Sequence, residues 1–310
     1  MITVLCGGIG GSRFLRALTA VVEADRITAI VNTGDDDVFH GLYVSPDPDI
    51  ITYTLAGEVD EERGWGLRGD TFRWLESIAR FGQETWFNIG DRDLATHLHR
   101  TRLLADGQPL SVITDDIARS FGVAVRIVPM SDDRVRTVVE TVQGDRTFQE
   151  FLVRDRAEPT VTGVRFDGAA TAAPAPGVLD ALTFAEAIFI APSNPIGSIR
   201  PILAIPGVRQ ALAASRARRI AVSPIVGGRS LQPPAAEMMA GVGLPVDVTG
   251  VRRAYDGLLD AMIIDHTDEA SAGELRAAGI EVLITATVMQ DAATGQALAR
   301  SALQLAGVAP

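Results

Sequence analysis

The chain contains no lysine, so all 28 of its long cations are arginines. A P-loop ends in Gly-Lys-Ser/Thr, and that nucleotide motif is therefore excluded. Cysteine is nearly absent as well. Cys6 alone rules out an internal disulfide and any zinc cluster built from thiolates. Next to a glycine loop it reads as a small core residue, with a nucleophile as the alternative. No apolar run reaches 18 residues and no signal-peptide pattern is present, which points to a cytoplasmic protein with no membrane partner. Positive charge is in deficit: the net charge of −11 argues against a nucleic-acid backbone as partner. The same field repels a phosphorylated substrate. Two like charges about 4 Å apart cost roughly 4 kcal/mol at an effective dielectric of about 20, so local arginines, backbone donors or a divalent cation must offset that repulsion. Arginine as the only long cation, beside abundant alanine, reads as a bias toward high-GC codons.

The 310 residues, 47% of them hydrophobic, suffice for one large or two modest domains with a substantial core. The first 37 residues organise them. Thr3-Val4-Leu5 breaks into Gly7-Gly8-Ile9-Gly10-Gly11-Ser12-Arg13, and a helical pattern opens at Phe14. Ile27 to Val31 then ends in Asn32-Thr33-Gly34-Asp35-Asp36-Asp37. This is a βαβ unit whose two strand ends spill loops onto one edge. Glycines let backbone N–H groups approach a ligand, and a helix start favours negative charge, so a phosphate belongs at the turn. The spacing is not the dinucleotide fingerprint, which would need a third glycine where Arg13 stands. A purely structural glycine turn is the alternative.

Gly41 to Asp49 carries two prolines and two acids. The prolines predict an extended, rigid segment that sends Asp47 and Asp49 to one side, as a hard cation such as Mg²⁺ requires. The other reading is a solvated acidic turn with Asp49 capping the following helix. From Ile50 to Phe121 the pattern turns helical, including a helix over Thr71 to Arg80 capped by Asp70. This predicts an all-helical insertion over residues 50–121, with a core formed by 1–49 and 122–310. Trp65, Trp74 and Trp86 all fall in the insertion, as packing or as an aromatic wall for a flat heterocycle. His97 and His99, two apart on one helix, cannot form a metal pair. Val135 to Val142 with a return over Phe148 to Val153 reads as a hairpin, Thr160 to Phe166 as a strand, and Gly168 to Gly177 as a loop between halves.

In the second half, apolar runs at Ala187, Ile220, Ala261 and Val282 each end in small polar residues, with helical patterns between, for example over Ile202 to Ala214. Such alternation predicts an α/β fold: a mostly parallel sheet covered on both faces, with its polar strand ends gathered on one ligand-binding edge.

In this order the motifs resemble the CofD family, the transferases of coenzyme F420 biosynthesis. The residues that carry the likeness are the Gly7-to-Arg13 loop, Asn32 to Asp36, Ser45-Pro46-Asp47-Pro48-Asp49 and Gly90 to His97. They continue with Pro129 to Asp133, Pro192-Ser193-Asn194-Pro195 and Ser223-Pro224-Ile225. The resemblance implies a Rossmann-like three-layer core with a helical insert, usually as a homodimer. It implies transfer of an enolpyruvyl-phosphate or 2-phospholactyl group from a guanosine diphosphate conjugate to the ribityl hydroxyl of the deazaflavin Fo. The products are (dehydro) coenzyme F420-0 and GMP, with Mg²⁺ as cofactor. Carried over, it places Asp49, Asn88, Asp91 and Arg92 around Fo, with Asp49 also a candidate base. Asp36, Asp47 and Asp49 are candidates for the metal. Gly8, Gly10, Gly11, Ser12, Asn32, Thr33, Ser193, Asn194, Ser223, Gly227 and Gly228 would line the nucleotide. Two departures stand out: Ile9 replaces a common threonine, and Leu231-Gln232-Pro233-Pro234 replaces a Gly-Pro with a nearby lysine. Rivals are a nucleotide-sugar-binding regulator resembling gluconeogenesis factors, and a non-enzymatic nucleotide-binding module.

Overall fold

A computed structural model describes residues 1–309. Seven strands form one sheet: β1 (Ile2–Cys6), β2 (Ile27–Val31), β3 (Arg126–Pro129), β4 (Ala187–Ile190), β5 (Arg218–Val222), β6 (Ala261–Ile264) and β7 (Glu281–Ile284). Every pairing is parallel, and the spatial order is β3-β2-β1-β4-β5-β6-β7. This is the doubly wound order with one strand added, and its direction reverses between β1 and β4.

The strands read as unbroken apolar runs because both faces are covered. Leu5 pairs in register with Ile30 and Ile190 on one face, while Val4 pairs with Ala29 and Phe189 on the other. The face holding Val4 is covered by α1 (Gly8–Thr19), α2 (Pro46–Leu55) and the end of α5 (Leu110–Ser120), together with the C-terminal helix Ala292–Ala306. The short helices between residues 178 and 277 cover the face holding Leu5. Cys6 is fully buried among the first group, with its thiol pushed up by burial, as a core residue would be.

The helical stretch after residue 45 therefore contributes directly to one layer of the sandwich. Beyond α2 it continues through α3 (Arg73–Ile78) and α4 (Asp93–Ala105) to α5. A three-stranded antiparallel ribbon follows β3: Arg136–Thr141 pairs with Gly144–Thr147 and with Val161–Asp167. The expected return strand over Phe148 to Val153 is instead a wide turn of π-helix at Glu150–Arg154. Phe151, at zero exposure, anchors that turn in the core, and burial of one ring outweighs the strand preference of its neighbours. The pattern over Ile202 to Ala214 is two helices, Arg200–Ala204 and Val208–Ala214, separated at Pro206-Gly207.

The extended reading of Asp47 and Asp49 is overturned. Pro46 occupies the first position of α2, where a missing N–H costs nothing, so the prolines start a helix instead of preventing one. Residues two apart on a helix point to different sides, and the two carboxylates have separate partners. The cap at Asp70 is also exchanged. Asp70 accepts hydrogen bonds from the N–H groups of Arg92 and Asp93 and so caps α4 (2.8 and 3.0 Å). Asp91 accepts those of Arg73 and Trp74 and caps α3 (3.2 and 3.0 Å). Each acid serves the other's helix, so Asp91→Ala should lower Tm, which thermal melts test.

Candidate active site

A cavity of about 580 Å³ opens where the strand order reverses, at the carboxyl ends of the sheet. Five of the seven strand ends reach it: Gly7 to Gly10 after β1, Asp35 after β2, Pro192 to Asn194 after β4, Pro224 after β5, and Thr287 to Met289 after β7. The end of β6 lies beneath, where Asp265 accepts the Thr287 N–H at 2.9 Å and the Thr267 N–H at 3.0 Å. The end of β3 turns away: Asp132 accepts from Ser111 N and Asp133 from Ala173 N.

The glycine loop is held by close packing. A Cβ on Gly7 would overlap the Asp47 carboxylate, and one on Gly10 would overlap the carbonyl oxygen of Pro192. Because that obstacle is backbone, Gly10→Ala should push the start of α1 away from the loop after β4 and sharply reduce the yield of folded protein, which circular dichroism and melting would report. Ser193 locks the same junction. Its Oγ accepts from Gly7 N (3.1 Å) and donates to Gly7 O (2.8 Å). Gly7 has no side chain to cap α1 and Asp47 takes the Gly8 N–H, which leaves the N–H groups of Ile9 and Gly10 to the cavity. Arg13, one turn along and half-buried, is the only arginine in the lining.

Behind the loop lies an acidic pair. Asn32 donates from its amide to Asp35 and to Asp47 (2.9 Å to the latter), while Gly8 N donates to Asp47 at 2.7 Å. Neither acid is ion-paired among the described residues. Burial, partly offset by the Asn32 and Gly8 hydrogen bonds, pushes Asp47 up to about 6. Burial, then the neighbouring charges of Asp47 and Asp36, raises Asp35 well above the usual carboxylate range. Two acids sharing a buried site without a cation suit a proton or a metal ion.

A second network forms the wall made by α2 and α4. Arg100, at 1% exposure, makes a bidentate pair with Asp49, one arm at 3.1 Å. His97 stands beside it, with Nδ1 at 3.3 Å from the guanidinium and Nε2 at 3.2 Å from Asp93. Tyr53 donates to Asp93 at 2.6 Å. Burial alone would raise Asp93; the hydrogen bonds and charge of His97 and the Tyr53 hydroxyl outweigh it and hold it low. Asn88, Phe87 and Trp65 complete this side, and Phe39 stacks on Phe87 at 3.8 Å. Trp74 is packing, its Nε1 donating to Ile89 O at 2.7 Å, and Trp86 packs edge-on against Phe39 and Phe87. His99 is separate, 2.8 Å from Asp116.

A model of the family described as 2-phospho-L-lactate transferase CofD matches residues 2–296. The chain belongs to the CofD family. Among similar proteins, the phosphoenolpyruvate transferase of Streptomyces griseus is 43% identical, covering 98% of each chain. That of Nocardia farcinica is 41% identical, over 99% of this chain and 95% of its own. A solved structure of a UPF0052 family member from Bacillus halodurans shares the fold, at a TM-score of 0.65 and 17% identity over 97% of this chain and 98% of that one. As a CofD family member, the protein is a transferase of coenzyme F420 biosynthesis.

Measured against the cavity, the sequence-derived site divides. Gly8, Gly10, Asp47, Asp49, Asn88, Ser193 and Asn194 line it. Asn194, however, spends its side-chain oxygen on the N–H groups of Ile196 and Gly197 (3.0 Å each). Gly11, Ser12, Asn32 and Thr33 lie outside the lining and support the loops; Ser12 Oγ, for instance, donates to Ile9 O. Ser223 is buried in the turn after β5 against Ile225, and Gly227 donates its N–H to Asp268 in the short ribbon that follows, so Ser223, Gly227 and Gly228 all lie outside the cavity lining. Asp91 and Arg92 also lie outside; Arg92 reaches Arg68 O and Glu58. Asp36 accepts from Ser45 Oγ at 2.7 Å and does not meet Asp47. Sequence reasoning did not single out Asp35, Arg13, Arg100 and Asp93, because the contacts that build this wall, such as Arg100 to Asp49 across 51 residues and Tyr53 to Asp93 across 40, join segments far apart in the chain. The run Asp35-Asp36-Asp37 was a visible signal, but not which of its acids faces inward.

Proposed function

We propose that this enzyme transfers an enolpyruvyl-phosphate or 2-phospholactyl group from a guanosine diphosphate conjugate to the ribityl hydroxyl of Fo, forming (dehydro) coenzyme F420-0 and GMP. One observation carries the reading. A single cavity joins the start of α1 and a free arginine to an aromatic wall containing Asn88, with a buried acid pair between them. Phosphates belong at the first, a flat deazaflavin at the second.

The reaction needs charge neutralisation more than covalent help. Mg²⁺ is the proposed cofactor, with Asp35 and Asp47 as its protein ligands in place of the Asp36, Asp47 and Asp49 set. The fit rests on that uncompensated pair and its raised pKa values. Among the described residues no cluster of three or more His, Cys, Asp or Glu forms a cage. One or two carboxylates with substrate phosphates is the usual Mg²⁺ arrangement. When bound, the ion would polarise the phosphoryl oxygens and balance their charge. The N–H groups at the start of α1 and Arg13 orient the donor's phosphates. Asp49, held by Arg100, has a fixed carboxylate that can accept the acceptor's hydroxyl proton or hold that hydroxyl in line. The partners are Fo and the guanosine conjugate, and the assembly is proposed to be a homodimer.

Incubation with Fo, Mg²⁺ and the guanosine conjugate should release GMP and yield a negatively charged deazaflavin, both separable by chromatography. Binding of nucleotide without GMP release would favour a regulatory binding protein and end this assignment.

A further inference from the structure

We infer that Gln149 reads the edge of a flat heterocycle, pairing with a carbonyl and the ring N–H beside it. The inference rests on the transfer reading above, because guanine and the deazaflavin both carry such an edge. Gln149 is 5% exposed and lines the cavity. Its amide has no hydrogen-bond partner among the described residues and is not sealed within protein, and the residue lines the cavity, so the amide is open to a ligand there. Buried amides are normally satisfied, and an unmatched one turned toward a cavity marks a contact kept for a ligand.

The backbone fixes where that amide points. Gln149 immediately precedes the π turn Glu150–Arg154, a local widening that recurs at functional sites. Gln149, Leu152 and Val153 are spaced to share one face of that turn, and all three line the cavity. Phe151 anchors the turn from the opposite side. Phe148 packs so closely on Gly197 that a Cβ there would press on its ring, tying the segment to the turn after Ser193. The lining residues of the same turn, Leu152 and Val153, are apolar. A planar ring against such residues would present its polar edge to Gln149, with Nε2–H donating to the carbonyl and Oε1 accepting from the ring N–H.

The test is Gln149→Leu, close in volume and without polar atoms. Affinities for GDP and for Fo are measured separately by titration, together with the Tm of the unliganded protein. One of the two ligands should weaken by about tenfold or more, because its edge is left unpaired. The other should stay within about twofold. Tm should hold or rise, since no internal hydrogen bond is lost. Gln149→Glu, which keeps an acceptor but loses the donor, should weaken the same ligand. Loss in the GDP arm identifies guanine as the heterocycle read, and loss in the Fo arm identifies the deazaflavin. Unchanged affinities, or both falling with Tm, would overturn the role of Gln149 while leaving the transfer reading intact. Wild-type protein that binds neither ligand would overturn both.

Discussion

Asp47→Asn is expected to lower turnover about 10²- to 10³-fold and to abolish the dependence of Tm on Mg²⁺. The acid stands between the start of α1 and Asp35, in contact with Gly8 N and the Asn32 amide. It is the one residue whose loss alters both the proposed metal pair and the phosphate loop, and removing one preorganised charge from such a site has an effect of about that size. The pH dependence has a definite sign. The folded pKa of about 6 lies above the ordinary carboxylate value. The native state therefore binds the proton more tightly than the unfolded chain does. The associated stability is fully present below about pH 4 and is lost as pH rises through 6, a change of order 2–3 kcal/mol. Mg²⁺ should then raise the wild-type Tm clearly at pH 7.5 and little at pH 5, where it must displace a proton. Calorimetry across that range, with chelator as the control, measures it. A Mg²⁺ shift that persists in Asp47→Asn would place the ion elsewhere.

Asp49→Ala is expected to destabilise the protein by about 3–5 kcal/mol as well as stop turnover, because Arg100 would be left buried without its bidentate partner. For a chain of this size that corresponds to a fall in Tm of roughly 10 °C. Inactivity of this variant alone would therefore not identify a base. The paired replacement Asp49→Leu with Arg100→Met removes both charges together and should recover most of the Tm, since a buried ion pair exchanged for apolar groups is often neutral. It should remain inactive, because Asp49 also faces the cavity. Recovery of turnover in the paired variant would reduce Asp49 to a purely structural partner of Arg100.

The layer architecture was legible in the residues alone. Parallel strands buried on both faces must be near-continuous apolar runs, and β1, β2, β4 and β6, buried throughout, announce themselves that way, as do the apolar ends of β5 and β7. Their polar endings had to collect at one edge, which located the cavity and brought Gly8, Gly10, Ser193 and Asn194 to it. Which acid meets which cation, metal or helix end was not legible, since those pairings form between segments far apart in the chain. Asp49 finds Arg100 across 51 residues, and Asp70 and Asp91 exchange helices across 22 and 18. Local pattern reports what a segment does with its own neighbours. The choice of Asp35 over Asp36 beside Asp47, like the open amide of Gln149, was decided only when α2 turned helical and the sheet set the distances between its loops.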